Sequence, residues 1–338
     1  MTPPSHLRVI DFGVASPLRS QTLWHAVARG VSGGAPCTLS FVRPSGPYVS
    51  IGYHRRLEEV DTDECRRRGW PVYRRMVGGG PVYLDRGQLF FQITVPMVEL
   101  PPARPKALRH LLAPAVAAYR AAGIEAEIDD RLEIVVGDRK ICGYGAGQIG
   151  DAAVVVGNLI ETFDHEAAAA SLRTPSPGAR RTLEELMRRY VAATPADPVI
   201  FRDAAIDAYS LQLARPAQRG ELDDGELSEL DELDRRFENP DWVAGAARAT
   251  PAAWQVKVKA GVFMFAAAAD QTTMIIGVDG GRVVTAELHD PELNGSTASL
   301  QDALIDLDLA LAATTLEAAG APGRRLSELL ALAEPHRS

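Results

Sequence analysis

Two short segments carry residue types that bind and polarise anionic groups. Arg74-Arg75-Met76-Val77-Gly78-Gly79-Gly80 ends in three consecutive glycines. Glycines admit positive φ and leave the backbone amides uncovered. Successive free N–H groups in such a loop surround phosphate or carboxylate oxygens, and arginines add bidentate donors for an anion. A tight turn with two solvated arginines accounts for the same residues. No Gly-Lys-Ser/Thr follows, so this is not a P-loop, and strands rather than a helix follow, so it is not a dinucleotide fingerprint. In the second segment, Gly137-Asp138-Arg139-Lys140-Ile141-Cys142-Gly143, Lys140 follows a turn and precedes further glycines at 145, 147 and 150. A lysine held there neutralises charge developing on a carbonyl or phosphoryl oxygen. An exposed hairpin lysine is the plainer alternative.

Cys142 lies two residues beyond Lys140 and is a candidate nucleophile, because a neighbouring cation activates a thiol. The alternative is a small buried side chain. Cys37, Cys65 and Cys142 make no disulfide framework and match no zinc spacing, which points to a reducing, cytoplasmic compartment. The seven histidines form no spaced metal pair, so no metal-ligating residues are expected. The clusters Arg66-Arg67-Arg68, Arg180-Arg181 and Arg188-Arg189 read as solvated helix faces, with attraction of an acidic partner as the alternative. A net charge of −8 argues against a nucleic-acid binder. The longest apolar runs, such as Val262–Ala269, fall far short of the ~20 residues of a membrane span, and the N-terminal residues lack the pattern of a signal peptide.

These segments sit among alternating elements. Leu7–Phe12, Thr38–Val42, Tyr48–Ile51, Pro71–Arg75, Ile124–Ile128, Glu133–Val136 and Ala153–Leu159 read as strands, and Val82–Leu84 with Leu89–Val95 as a hairpin. Pro17–Arg29, Asp61–Gly69 and Pro105–Ala122 read as helices, the last kinked or begun by Pro114. The order lacks regular βαβα alternation, so the fold class is α+β. Leu183–Val191, Ile200–Leu213 and Glu226–Phe237 read as helices, with Arg173–Arg180 as an exposed proline-rich loop. After an irregular stretch at Asn239–Pro251, a β-meander from Trp254 to Leu288 and helices at Leu300–Ala318 and Leu326–Ala333 form a second, smaller module. The expected domains are 1–248 and 254–338.

Taken in order, the segments resemble the lipoate–protein ligase A family of the biotin/lipoate ligase superfamily. Tyr48-Val49-Ser50-Ile51-Gly52-Tyr53-His54 is similar to its "VSIGRxQ" strand-turn. Arg74-Arg75 with Gly78-Gly79-Gly80-Pro81-Val82-Tyr83, and Asp85-x-Gly87-Gln88-Leu89, follow its glycine loop and "HDxGNL". Gly137–Gly143 resembles "GRKISG", Gly157-Asn158-Leu159-Ile160 resembles "HGTLL", and Asn239-Pro240-Asp241-Trp242 resembles the end of its large domain. The chain departs from the pattern at Val77, Pro81, Leu84, Arg55 and Val156.

The resemblance implies a ligase-like catalytic domain with a central mixed sheet and a small α+β accessory domain. It implies an ATP- and Mg²⁺-dependent enzyme that converts lipoate or octanoate into an acyl-adenylate and transfers the acyl group to a lysine of a lipoyl-domain acceptor, with no nucleic-acid or membrane partner. Lys140 is then the catalytic residue. Arg74, Arg75, Gly78, Gly79, Gly80, Val82, Tyr83, Asp85, Gly143 and Gly157 line the nucleotide and acyl sites, and the Tyr83–Val95 hairpin lines an apolar slot for the acyl tail. Two alternatives stand beside it: an ATP-independent octanoyl transferase working through a Cys142 thioester, and a non-catalytic lipoate-binding scaffold.

Overall fold

The computed structural model describes residues 5–247, 253–293 and 297–333. The expected domain boundary at 248 and the end of the irregular stretch up to Pro251 lie outside them. The chain divides into two compact units, residues 1–173 with 191–247, and residues 174–190 with 248–338. The second unit thus takes in residues 174–190, which the sequence pattern assigned to the first.

In the first unit the chain runs β1 (Leu7–Ala15), α1 (Pro17–Ser32), β2 (Thr38–Pro44), β3 (Tyr48–Ile51), α2 (Thr62–Arg68), β4 (Val72–Arg74), β5 (Val82–Leu84), β6 (Gln88–Pro96) and α3 (Arg104–Ala121). It continues through β7 (Glu127–Ile128), β8 (Ile134–Val136), β9 (Arg139–Lys140), β10 (Gly145–Ile149), β11 (Ala152–Ile160) and α4 (His165–Ala170). After α5 (Pro177–Tyr190), which belongs to the second unit, come α6 (Pro198–Gln212), β12 (Ala217–Arg219), α7 (Asp224–Glu238) and α8 (Pro240–Ala244).

The main sheet has the order β10-β11-β6-β2-β1-β12. β1 is parallel to β2 and β12, and the other pairs are antiparallel, so the sheet is mixed. Both faces are covered. Leu39, Phe41, Phe91, Ile93 and Val95 face α3 and α6, while Val42 and Phe90 face α1 and α7. The polar residues that alternate with apolar ones in β2 and β6 are therefore buried as well, and Ser40 Oγ donates to Gln92 Oε1 at 2.7 Å. Full burial of a ring such as Phe91 contributes ~1.5–3 kcal/mol.

Three local expectations are corrected. α3 runs unbroken through Pro114, which is buried on its core side; packing against the sheet outweighs the helix bond that proline removes, worth ~3 kcal/mol. Val82–Leu84 and Leu89–Val95 do not form a hairpin. β5 pairs with β3 in a separate sheet of order β4-β3-β5, while β6 pairs with β2 and β11. Arg173–Arg180 is not wholly loop: α5 starts at Pro177, and Ser176 Oγ caps it by accepting from the Ala179 N–H at 3.1 Å. Proline suits a first helical position because the N–H it lacks has no partner there.

In the second unit β13 (Trp254–Lys259), β14 (Val262–Ala269), β15 (Thr272–Asp279) and β16 (Arg282–His289) form an antiparallel meander. α5 joins this unit through Leu186, beside Gly277, and through a hydrogen bond from Thr182 to Glu287. α9 (Thr297–Leu304), α10 (Leu309–Glu317) and α11 (Gly320–Ala333) complete it, with Leu300, Leu304, Leu316, Leu326 and Leu330 packed on Met274 and Ile276. The single helix expected over Leu300–Ala318 is two, because Asp308 caps a new helix by accepting from the Leu311 N–H at 2.9 Å. Among the described residues no helix is long and apolar enough to cross a membrane.

Candidate active site

The glycine loop is shaped from beneath by one arginine. Arg75 is buried and donates to the carbonyls of Gly78 (2.9 Å), Gly80 (2.9 Å) and Ser50 (2.8 Å). With those carbonyls turned down, the amides of Gly78, Gly79 and Gly80 have no partner among the described residues, and Gly79 and Gly80 are exposed. Gly79 sits at φ +102°, and a Cβ there would lie 2.6 Å from the Arg75 guanidinium. Neither the backbone conformation nor the space admits a side chain. Burial lowers the Arg75 pKa to about 10, so the group stays cationic at neutral pH and adds positive potential under the amides. Neutral-turn geometry alone would not produce this. Free amides above a buried cation are an arrangement chemically able to hold an anion.

A polar network that sequence reasoning missed fixes this arrangement to α1. Gln21 donates from Nε2 to the Tyr48 hydroxyl at 2.7 Å and accepts from the Ser50 hydroxyl at 2.9 Å. One turn on, His25 Nε2 accepts the Met76 N–H at 3.0 Å, so Nδ1 carries the proton and donates to the Gln21 carbonyl at 2.6 Å. Trp24 stacks on the imidazole at 3.4 Å. The one available signal was the i, i+4 spacing of Gln21 and His25, which shares a helix face.

Burial, chiefly, lowers the His25 pKa from 6.5 to about 3, with Arg29, Arg75 and Arg236 adding to the effect. Between those values the unfolded chain binds a proton at this position and the folded chain does not. The histidine therefore costs stability as pH falls from 6.5 towards about 3, at up to ~1.4 kcal/mol per pH unit. Thermal melts of wild type and His25→Gln should converge as the pH falls through this window. Parallel curves would show that His25 is not held neutral.

Lys140 lies on β9, paired with Val135 of β8, and its Nζ is 2.9 Å from the Glu133 carboxylate. The ammonium is 18% exposed and the carboxylate 5%. Glu133 was not foreseen as a site residue. It keeps a half-buried cation in place beside the chain that leads into the glycine segment. From there, Gly143 donates its N–H to Asn158 Oδ1 at 2.7 Å, and Asn158 Nδ2 donates to Gln88 Oε1 at 2.7 Å. The stretch from Gly145 is an edge strand, β10, and it meets the glycine loop. Gly145 lies 4.0 Å from the Gly78 carbonyl by its Cβ position, and a Cβ at Gly147 would strike Val77 at 2.6 Å.

Several expected ligand residues have other roles. Arg74 does not face an anion: its guanidinium donates to the carbonyls of Gly52, Tyr53 and Arg55 on one side and of Trp242, Val243 and Ala244 on the other. It clamps the end of α8 to the turn after β3, a helix terminus that favours a cation. Arg75 acts on the loop's carbonyls rather than as a solvated anion donor. The Gly143 amide is already taken by Asn158. Gly157 pairs with Phe91 and lies under its ring, 2.3 Å from where a Cβ would be, on the α3 and α6 side of the sheet. It is a packing glycine. Val82 leaves the loop 40% exposed, whereas Tyr83 is buried against Trp70 at 5.0 Å. Asp85 accepts from the Gly87 N–H at 2.9 Å, and its carboxyl is raised chiefly by burial.

Cys142 is fully buried in the core between the sheet and α3, and burial, above all, pushes its thiol up to about 11. Cys37 and Cys65 are buried as well, and burial is again the main cause of thiols pushed up to about 12 and about 11. Among the described residues, no three His, Cys, Asp or Glu side chains converge to hold a metal ion.

A mixed sheet flanked by helix pairs is the architecture of the lipoate ligase-like fold. It superimposes on an archaeal bipartite lipoate protein ligase from Thermoplasma acidophilum with a TM-score of 0.66 and 24% identity, covering 73% of this chain and 99% of that one. The family model of the lipoyl protein ligase A/B catalytic domain matches residues 16–192, just over half of the sequence, and the chain belongs to that family. It is 26% identical over 274 residues to an octanoyltransferase, LipM, of Moorella thermoacetica, covering 71% of this chain and 98% of the relative. It is also 26% identical over 239 residues to lipoate-protein ligase A subunit 1 of Thermoplasma acidophilum, covering 66% and 90%. The protein is therefore an enzyme of the lipoate ligase and octanoyltransferase family.

Proposed function

We propose that the enzyme is an ATP-dependent lipoate– or octanoate–protein ligase, whose first unit is catalytic and whose second is an accessory domain. The observation that carries this reading is the burial of all three cysteines, with their thiols pushed up to about 11 or 12. A thioester route needs an accessible thiolate, and this chain presents none. The acyl group must then be activated on something other than the enzyme, and a cradle of three amides above a buried cation suits a phosphate.

ATP supplies the activated phosphorus: a carboxylate oxygen of the fatty acid bonds to it as pyrophosphate leaves. The amides of Gly78, Gly79 and Gly80 donate to phosphate oxygens, held outward by Arg75. Lys140 offsets negative charge on the phosphoryl and acyl oxygens, where a fixed donor stabilises the transition state most. The acceptor lysine of a lipoyl domain, as a neutral amine, then attacks the acyl carbon, loses a proton and expels AMP. The chain needs no nucleophile of its own. Mg²⁺ would enter on the nucleotide, held by phosphate oxygens and water as that ion prefers, and no protein cage for it is assigned.

A second reading, ATP-independent octanoyl transfer, is favoured by the likeness to LipM. Cys142→Ser and Cys142→Ala distinguish the two. The ligase reading expects both to keep turnover within about twofold and to remain strictly ATP-dependent, with no acyl adduct on any cysteine by mass spectrometry; the alanine variant covers the cost of ~1–3 kcal/mol for burying a hydroxyl. Turnover without ATP that collapses by orders of magnitude in both variants would establish the transferase instead.

A further inference from the structure

We propose that the outer face of α3, with the groove between it and β7, is where an acidic surface of the acyl-acceptor protein docks. The proposal rests on the ligase or transferase reading only in that both deliver an acyl group to a protein lysine. α3 carries Arg104, Lys106, Arg109 and Arg120 and no aspartate or glutamate, in a chain of net charge −8. All four are exposed, and none makes an ion pair among the described residues. Other basic clusters differ: Arg66 is paired with Asp63, Arg67 and Arg68 with Glu64, and Arg188 with Glu184. Among the described residues, the hydrogen-bond partners of the α3 cations are carbonyls, Asp129 O for Arg109 at 3.4 Å and Ala126 O for Arg120 at 2.8 Å. These contacts draw two guanidinium groups to the rim of the groove, where they outnumber the single lining carboxylate, Glu127.

The groove measures about 620 Å³, and between Arg109 and Arg120 its floor is Ala113, Val116 and Ala117. Small apolar side chains framed by cations fit a protein surface with an apolar centre and carboxylates around it. A nucleic acid would meet the same cations but also an acidic chain. Glu127, on the far wall, pairs with Val135, which pairs with Lys140. Groove and lysine thus lie on one row of the β7-β8-β9 sheet, two strand spacings or ~10 Å apart. A domain seated on α3 can hold its own lysine near Lys140.

The test uses the full chain and an unmodified lipoyl acceptor domain. Binding is measured by calorimetry, and acyl transfer is measured from synthetic lipoyl-AMP, which needs no activation step. A Lys106→Glu, Arg109→Glu double variant should weaken acceptor binding and raise the acceptor KM on the order of tenfold or more, with kcat at saturation within about twofold. Raising salt from about 50 to about 500 mM should weaken wild type more than the variant. Lys106→Gln, Arg109→Gln, which removes charge without reversing it, should give a smaller shift in the same direction and covers the event that the reversal unfolds. Unchanged binding and KM in both variants would overturn the proposal, as would loss of binding to a mixed RNA with acceptor KM intact. Weakened acceptor binding in a protein that shows no ATP–pyrophosphate exchange would support the docking face while removing the ligase reading.

Discussion

Lys140→Ala is expected to slow acyl-adenylate formation by about 10²–10³, the ~2.7–4 kcal/mol lost with one fixed donor to a developing charge. The substitution also takes the Lys140 ammonium, 2.9 Å away, from the Glu133 carboxylate, which is 5% exposed. Removing one partner of a buried ion pair costs ~3–5 kcal/mol, so loss of rate in the single variant has two explanations. Lys140→Met combined with Glu133→Gln removes both charges at similar volume and separates them. If Lys140 acts on the reacting oxygens, the double variant stays as slow as the single one while its melting temperature recovers. A double variant with wild-type pyrophosphate exchange would reduce Lys140 to a counter-ion of Glu133.

Arg75→Met is expected to remove both the loop and much of the stability. The buried Ser50 carbonyl and the part-buried carbonyls of Gly78 and Gly80 lose their donor, and a fully buried unsatisfied group costs ~1–3 kcal/mol. Arg75→Lys keeps the charge, but a point ammonium cannot span the three carbonyls as a planar guanidinium does. The lysine variant should therefore fold, with a KM for ATP raised by ~10²-fold, about 2.7 kcal/mol of binding. An unchanged ATP KM in Arg75→Lys would show that the carbonyls do not need to be held down for the loop to work.

The motifs were legible because their residue types are unusual: three adjacent glycines, and a lysine after a tight turn. The strands of the main sheet were legible as apolar runs at Thr38–Val42, Leu89–Val95 and Ala153–Leu159. What was not legible was direction. Arg74 and Arg75 are adjacent and identical, and in an extended strand adjacent side chains point to opposite faces. Arg74 therefore clamps α8, and Arg75 reaches under the loop. No local pattern states that both meet carbonyls rather than a ligand. Gly157 read as a site glycine, yet its partner across the ladder, Phe91, needs the missing Cβ. β10 was hidden because Gly145 and Gly147 disfavour strands; pairing with β11 and the close approach of Val77 override that preference. His25 and Glu133 looked ordinary because only tertiary contacts make them informative.

In the ligase reading the fatty carboxylate is activated on a nucleotide and never on the enzyme. That reading is tested most directly by exchange of labelled pyrophosphate into ATP, with wild-type protein, Mg²⁺ and lipoate or octanoate, and with no acceptor present. A ligase shows exchange that depends on the fatty acid and falls by about 10²–10³ in Lys140→Met with Glu133→Gln. Absence of exchange, together with octanoyl transfer from a thioester donor to a lipoyl domain without ATP, would contradict it.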